Sequence, residues 1–233
     1  MITPDEQCLR NSSKFIKKNK EDELVFMDIG SNKGEWSDLV LNMIAHSNKC
    51  KIHLFEPNPS CYDELVAKFG TNSSTKVNNF GVSSKACSAT LFDPKGVGSA
   101  LSSLYNRKVF HTWTDGTVIV EKQVNLVSLD DYVELNNINH IHFLKIDVEG
   151  HELEVLRGAR KLFEEKKVNV GQFEVGGTFA DAGICIKDFV DFFADYNYGI
   201  YFKEISKDCE LKTDVEFEWE NILFANKSLD SSL

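Results

Sequence analysis

Two stretches hold residues whose types and spacing can do chemistry: Asp28-Ile-Gly30-Ser31-Asn32-Lys-Gly34 and Asp147-Val-Glu149-Gly-His151. In the second, two carboxylates and an imidazole follow an apolar run and precede a helical pattern. They therefore gather at the carboxyl end of a strand and in the first turn of a helix, as candidate proton acceptors. A base so placed supplies on the order of 10²–10⁴ in rate. The helix N-terminus disfavours a charged imidazole, which keeps His151 neutral and able to accept a proton. The competing reading is a helix-start residue bonded to solvent. Glu149 is the other candidate base. Lys145, inside the preceding strand, needs a partner, and Glu174 on the next strand is available. Asp147 and Glu174 end adjacent strands and could also bind a hard divalent cation. Two acids are a thin ligand set, so a metal is not expected.

The first stretch is a binding feature. Its glycines are spaced Gly30-x-x-x-Gly34, whereas a dinucleotide fingerprint needs a middle glycine so that pyrophosphate can approach the backbone. Asn32 stands there instead, and Glu35 opens the helix with a charge that an anionic ligand would oppose. The loop therefore suits a nucleoside without phosphates, with a plain tight turn as the alternative. Glu56, ending the second strand, can accept both hydroxyls of a ribose; otherwise it caps the helix after Pro57. Asp28 either meets a ligand ammonium or holds the loop through its N–H groups.

The elements that position these residues alternate as strands and helices. Val25 to Asp28 is a buried strand, and an apolar helical face of Trp36, Leu39, Val40, Met43 and Ile44 follows over about 35–46. Lys51 to Phe55 is the second strand, stopped by Pro57 and Pro59, and Cys61, Leu65 and Phe69 recur four apart on the next helix. Residues 76–82 read as a third strand. From 88 to 127 the pattern changes to a β-hairpin excursion around a Gly/Ser-rich middle. This segment (Gly96 to Trp113) is a natural lid and acceptor platform, with Arg107, Lys108 and His111 as polar contacts. Ser128 caps a helical turn, and Ile141 to Asp147 resumes the winding. A helix carrying Leu153, Leu156, Ala159 and Leu162 leads to a strand over 168–175, the loop Gly176-Gly-Thr-Phe179 and a further helix. Two successive strands, 198–203 and 219–225, then suggest an antiparallel pair.

Length and composition frame this as one α/β domain over about 23–226. The chain has 233 residues, 42% of them hydrophobic and 17 of them Phe. Residues 1–22 are polar and lysine-rich and 227–233 lack periodicity, so partial disorder is expected at both ends. The cluster Lys14, Lys17, Lys18 and Lys20 reads as a solvated face. A formal net charge of −10 argues against a nucleic-acid partner. Six cysteines without metal-like spacing read as reduced core residues. No stretch resembles a signal peptide or a membrane span, so the default location is the cytosol and the three glycosylation-like triplets carry no weight. The oligomeric state is left open.

The blocks Asp28-Ile-Gly-Ser-Asn-Lys-Gly34, Phe55-Glu-Pro57, Leu129-Asp130 and, most specifically, Lys145-Ile-Asp-Val-Glu-Gly-His-Glu152 resemble the FkbM family of S-adenosylmethionine-dependent methyltransferases. The resemblance runs in order over about residues 25–175. It implies a Rossmann-like class I methyltransferase fold, a seven-stranded, mostly parallel sheet with helices on both faces and an antiparallel last strand. It implies S-adenosylmethionine as methyl donor, with Gly30, Asn32 and Gly34 at its methionine part and Glu56 at its ribose. The full expected donor-binding set is Asp28, Gly30, Ser31, Asn32, Gly34, Glu56, Pro57, Ser83 and Asp147. Many such folds place an acid near the end of the third strand for the adenine, where this chain has Ser83 and Ser84. The implied reaction is O-methylation, most readily of a saccharide hydroxyl on a glycan or glycosylated metabolite. A nitrogen or non-sugar hydroxyl acceptor is the alternative. A nucleoside-binding interaction domain without catalysis is the alternative of another class. The loop spacing disfavours a nicotinamide oxidoreductase.

Overall fold

A computed structural model describes residues 2–16, 23–44, 49–94, 96–107, 118–211 and 219–229. Lys17, Lys18, Lys20, Lys108, Phe110, His111 and Trp113, and the tail 230–233, lie outside the described residues.

Seven strands form the main sheet: β1 (Leu24–Ile29), β2 (Cys50–Phe55), β3 (Thr75–Asn78), β7 (Ile141–Ile146), β8 (Val168–Gly176), β9 (Tyr198–Phe202) and β10 (Trp219–Asn226). Their order is β3-β2-β1-β7-β8-β10-β9. All neighbours pair in parallel except β10, which lies antiparallel between β8 and β9. This is the sheet implied by the sequence resemblance, including the inserted last strand. Every residue of β7 is buried, because helices cover both faces of a parallel sheet.

The 88–127 excursion is a hairpin of β5 (Cys87–Pro94) and β6 (Ile119–Val127). The expected single strand over 76–82 is two pieces. β3 stays in the main sheet, while β4 (Gly81–Val82) joins β6 in a separate three-stranded sheet. The break at Asn79-Phe80 turns the chain out of the main sheet and aims the hairpin over its carboxyl edge.

The helices are α1 (Pro4–Asn11), α2 (Ser13–Ile16), α3 (Glu35–Ile44), α4 (Pro59–Phe69), α5 (Leu129–Leu135), α6 (Glu152–Arg157), α7 (Arg160–Glu164), α8 (Thr178–Ala182) and α9 (Ile186–Asp195). On α3, Trp36 and Val40 are buried, whereas Met43 of the expected apolar face is exposed. The expected helix carrying Leu153, Leu156, Ala159 and Leu162 is interrupted at Gly158, where an added Cβ would lie 2.0 Å from the Ser83 carbonyl oxygen. Its four apolar positions nevertheless all reach the core. The loop expected after Gly176 contains α8, and Phe179 stacks on Phe189 of α9 at 4.9 Å.

The amino end departs from the expectation over part of its length. Of residues 1–22, expected to be partly disordered, 4–16 form α1 and α2, with Cys8, Leu9, Phe15 and Ile16 buried with Trp36, Phe143 and Val170 in one core, and 17–22 lie outside the described residues. Asn169 Nδ2 donates to the Phe15 carbonyl at 3.0 Å, fixing the arm to β8. The physical reason is coverage: α3 and α4 pack near β1, β2 and β3, and the arm buries apolar surface of β7, β8 and β10 on the same side. All six cysteines are free. No described helix is long and apolar enough to cross a membrane.

Candidate active site

The carboxyl ends of β1, β2, β7 and β8 surround a cavity of about 350 Å³, the position where open α/β sheets bind ligands. Of the residues expected to bind the donor, Gly30, Ser31, Asn32, Glu56, Pro57 and Asp147 line it. Asp28, Gly34 and Ser83 do not, and each has a structural reason.

Asp28 is fully buried and accepts a hydrogen bond from Ser37 Oγ at 2.7 Å. It also pairs with Lys145, whose Nζ lies 3.3 Å from Asp28 Oδ1 and 3.2 Å from Asp147 Oδ2. The register dictates this, since Asp28 sits directly beside Lys145 across the β1–β7 pairing. Lys145 therefore takes Asp28 and Asp147 as ion-pair partners, not Glu174, the available partner on the next strand. Burial works against the ammonium, but the two acids outweigh it and hold Lys145 above its usual pKa. Burial likewise raises Asp28 despite the pull of Lys145.

The two glycines serve close approach. Gly30 has φ +79°, and a Cβ there would lie 1.8 Å from the Asp147 carbonyl oxygen. Gly34 has φ +75° and abuts Phe69, with 2.3 Å left for a Cβ. Asn32 is also left-handed, at φ 45°, a region asparagine tolerates better than most residues. Its Nδ2 reaches the Ser99 carbonyl at 3.4 Å, so the side chain ties the loop to the excursion.

Glu56 is buried, and its two oxygens accept the N–H groups of Asn32 and Asn58, each at 2.8 Å. Asn58, not Glu56, caps α4, with its side chain accepting from Ser60 N. The helix-capping alternative for Glu56 is therefore removed. Each carboxylate oxygen still has acceptor capacity for a ligand hydroxyl. Burial pushes the Glu56 carboxyl up to about 7.

In the second block, His151 is gripped from both sides: Ser83 Oγ lies 2.9 Å from Nε2 and the Tyr105 hydroxyl 3.2 Å from Nδ1. Its pKa is lowered, as the sequence suggested, but the cause is burial, opposed by Glu154. Glu149 stands in a left-handed conformation, φ 56°, and accepts from Arg107 Nη1 at 2.5 Å. Burial, then the charge of Asp147, push Glu149 up to about 8 against the pull of Arg107. Arg107 itself is 1% exposed and also approaches Asp181, at 3.7 Å. Glu174 has no ion pair or side-chain hydrogen bond among the described residues, and burial and its acidic neighbours raise it to about 8. Asp147, Glu149 and Glu174 can each bring an oxygen within 4.8 Å of the others. The structure thus adds Glu149 to the two acids foreseen, giving a three-oxygen set of the kind that suits a hard cation.

Several contributors were not legible in the sequence. Asp5 of α1 lines the cavity, held by Gln172 Nε2 at 2.6 Å and Asn221 Nδ2 at 3.1 Å. Polar Gln172 and Asn221 inside apolar strands were the signal that something polar must meet them. Asp93, fully buried, organises the excursion by accepting from Lys122 (2.8 Å), Asn58 (3.0 Å) and the Gly98 and Ser99 N–H groups (3.0 and 3.1 Å). The net effect on Asp93 is a pKa of about 2: burial raises it, and these donors lower it further. Ser103 Oγ then donates to the Glu149 carbonyl at 2.8 Å. The excursion is fastened to both blocks.

The hexuronic acid methyltransferase AglP of Haloferax volcanii is 27% identical over 164 residues, covering 70% of this chain and 61% of that protein. The structure of the methyltransferase FkbM from Methylobacillus flagellatus KT superposes with a TM-score of 0.52 and 16% identity, over 89% of this chain and 44% of that one. The likeness shows a shared fold, that of the class I methyltransferases. This chain spans less than two thirds of the length of either relative. A family model for the methyltransferase FkbM domain matches residues 28–200, from the Asp28 that anchors Lys145 to the strand paired with β10, and the chain belongs to that family.

Proposed function

We propose that the protein is an S-adenosylmethionine-dependent O-methyltransferase acting on a saccharide hydroxyl. The observation that carries the reading is the charge of the cavity joined to its loop geometry. Asp5, Glu35, Glu56, Asp147, Glu149 and Glu174 line it, while Lys145 is already paired with two acids. Burial holds Glu56, Glu149 and Glu174 near neutrality, and a cation bound beside them draws out their charge. Such a wall favours a donor bearing a sulfonium and an ammonium and repels the pyrophosphate of a dinucleotide. The volume lies within the usual range for small-ligand sites. Glu56 would hold the ribose and the Gly30–Asn32 backbone the methionine part. The bound donor supplies an activated methyl group, and the protein's task is to align an acceptor oxygen and receive its proton.

His151 is the proposed proton acceptor. It is kept neutral by burial; of the Ser83 and Tyr105 hydroxyls at its two nitrogens, one accepts the ring N–H and fixes the ring, and the other gives up the lone pair to the acceptor's hydroxyl as the proton transfers. Glu149, bound to Arg107, shapes the acceptor side instead of competing for the proton. The hexuronic acid named for the relative supports a sugar acceptor. The acid-rich wall of this cavity favours a neutral sugar over one carrying a carboxylate. The six free cysteines suit the cytosol as its location.

Calorimetry with S-adenosylmethionine and its demethylated product is the first test, and binding of both is expected. Transfer of labelled methyl to a panel of neutral, amino and uronic glycans then identifies the acceptor. Silence with both donor forms together with NADH binding would overturn the reading.

A further inference from the structure

A second cavity, of about 670 Å³, opens on the sheet near the amino-terminal ends of the strands, away from the donor crevice. Its floor is a polar row set by register. Lys76 of β3 lies directly across from His53 of β2, and Lys51, two residues earlier on the same strand face, lies across from Val25 of β1. His142 of β7 accepts the Val25 N–H at Nδ1, 3.0 Å away, which leaves its hydrogen on Nε2. Helix α5 is only seven residues long and covers the upper part of this face. Below it the row stays open, walled by 136–140.

Among the described residues, no carboxylate pairs with these ammonium groups. Lys51 Nζ donates to the Ser73 carbonyl at 2.6 Å and Lys76 Nζ to Asn136 Oδ1 at 2.5 Å. Each ammonium thus commits one of three hydrogens to a neutral acceptor, and among the described residues neither is ion-paired. Lys33, Lys68, Lys122 and Lys145, by contrast, all pair with acids. Among the described residues, the cavity's lining has one carboxylate, the exposed Glu23. His53 is 5% exposed, and its Nδ1 is engaged by the Tyr132 hydroxyl at 2.7 Å. Its Nε2 has no partner among the described residues. Burial, aided by the two lysines, holds the imidazole down to about 4, so it is neutral at physiological pH.

We propose that this cavity is a second ligand site that takes the phosphate group of a small molecule, with Lys51 and Lys76 neutralising the anion and the His53 ring lying beside it. In a protein of net charge −10, a concave site with two ammonium groups that no described carboxylate pairs is where an oxyanion gains most. The volume exceeds what a bare anion fills, which favours a phosphate ester of sugar size.

The test is NMR of the histidine imidazoles in the whole protein, titrated with inorganic phosphate and separately with a hexose 1-phosphate. The His53 and His142 signals should move and saturate while those of His151 stay, and the unphosphorylated hexose should have no effect. Saturation by either phosphate probe supports the site, and the ratio of their affinities names the source of the group. Lys51→Met with Lys76→Met should weaken binding at least tenfold and leave donor binding unchanged, whereas Lys51→Arg should retain it. No movement at His53, movement at His151 instead, or undiminished binding in the double variant overturns the proposal.

Discussion

The Cβ that Gly30 lacks would lie 1.8 Å from the carbonyl oxygen of Asp147. That contact joins blocks more than a hundred residues apart and brings the binding loop against the proton-accepting turn. Gly30→Ala must therefore move one of them while also straining a left-handed backbone. Its stability should fall by at least about 2 kcal/mol in urea unfolding, with donor binding lost in calorimetry. An unchanged urea midpoint would mean that the two blocks yield freely.

Lys145 is the cation beneath this junction. Lys145→Met leaves Asp28 fully buried without its counter-charge, a change that costs about 3–5 kcal/mol for broken buried pairs. Adding Asp28→Asn should restore part of the loss. If the double variant is no more stable than the single one, the pair is not the cause.

Glu56→Gln replaces one of two acceptor oxygens by a donor facing an N–H group. Loss of that hydrogen bond should cost about 1–3 kcal/mol, and S-adenosylmethionine affinity should drop at least tenfold. Calorimetry on the folded variant separates the two effects.

Glu174 makes stability depend on pH with a definite sign. Folded, it keeps its proton up to about 8; its ordinary value is 4.5. Between those values the folded state binds more protons, so stability falls as pH rises. His151 acts oppositely: its depressed pKa removes stability only as pH falls through its ordinary value of 6.5. The window from about 6.5 to 8 therefore isolates the acids. Thermal midpoints should decline across it, less steeply in Glu174→Gln; equal slopes would remove Glu174 as the cause.

His151→Ala should lower kcat by about 10²–10⁴ with little change in donor Kd. Tyr105→Phe, which removes only a ring-orienting hydrogen bond, should have a smaller effect. Full activity in His151→Ala alongside its loss in Glu149→Gln would transfer the base assignment to Glu149.

The sequence by itself determined the alternation of the main strands and helices, because apolar periodicity and punctuation by Gly30, Pro57 and Pro59 are local signals. It also determined that Asp28, Glu56 and Asp147 end strands and so gather at one edge of a parallel sheet. Only the tertiary structure decided what each acid faces. Asp28 turns inward because the β1–β7 register puts Lys145 beside it, and no local pattern encodes a register between strands so far apart. Asp5 and Arg107 reach the site for the same reason: their partners Gln172, Asn221 and Glu149 are distant in sequence, and the apolar residues that fix the amino-terminal arm, Cys8, Leu9, Phe15 and Ile16, are too scattered to show a period. Periodicity reports which face is buried; which charge meets which is settled by long-range packing.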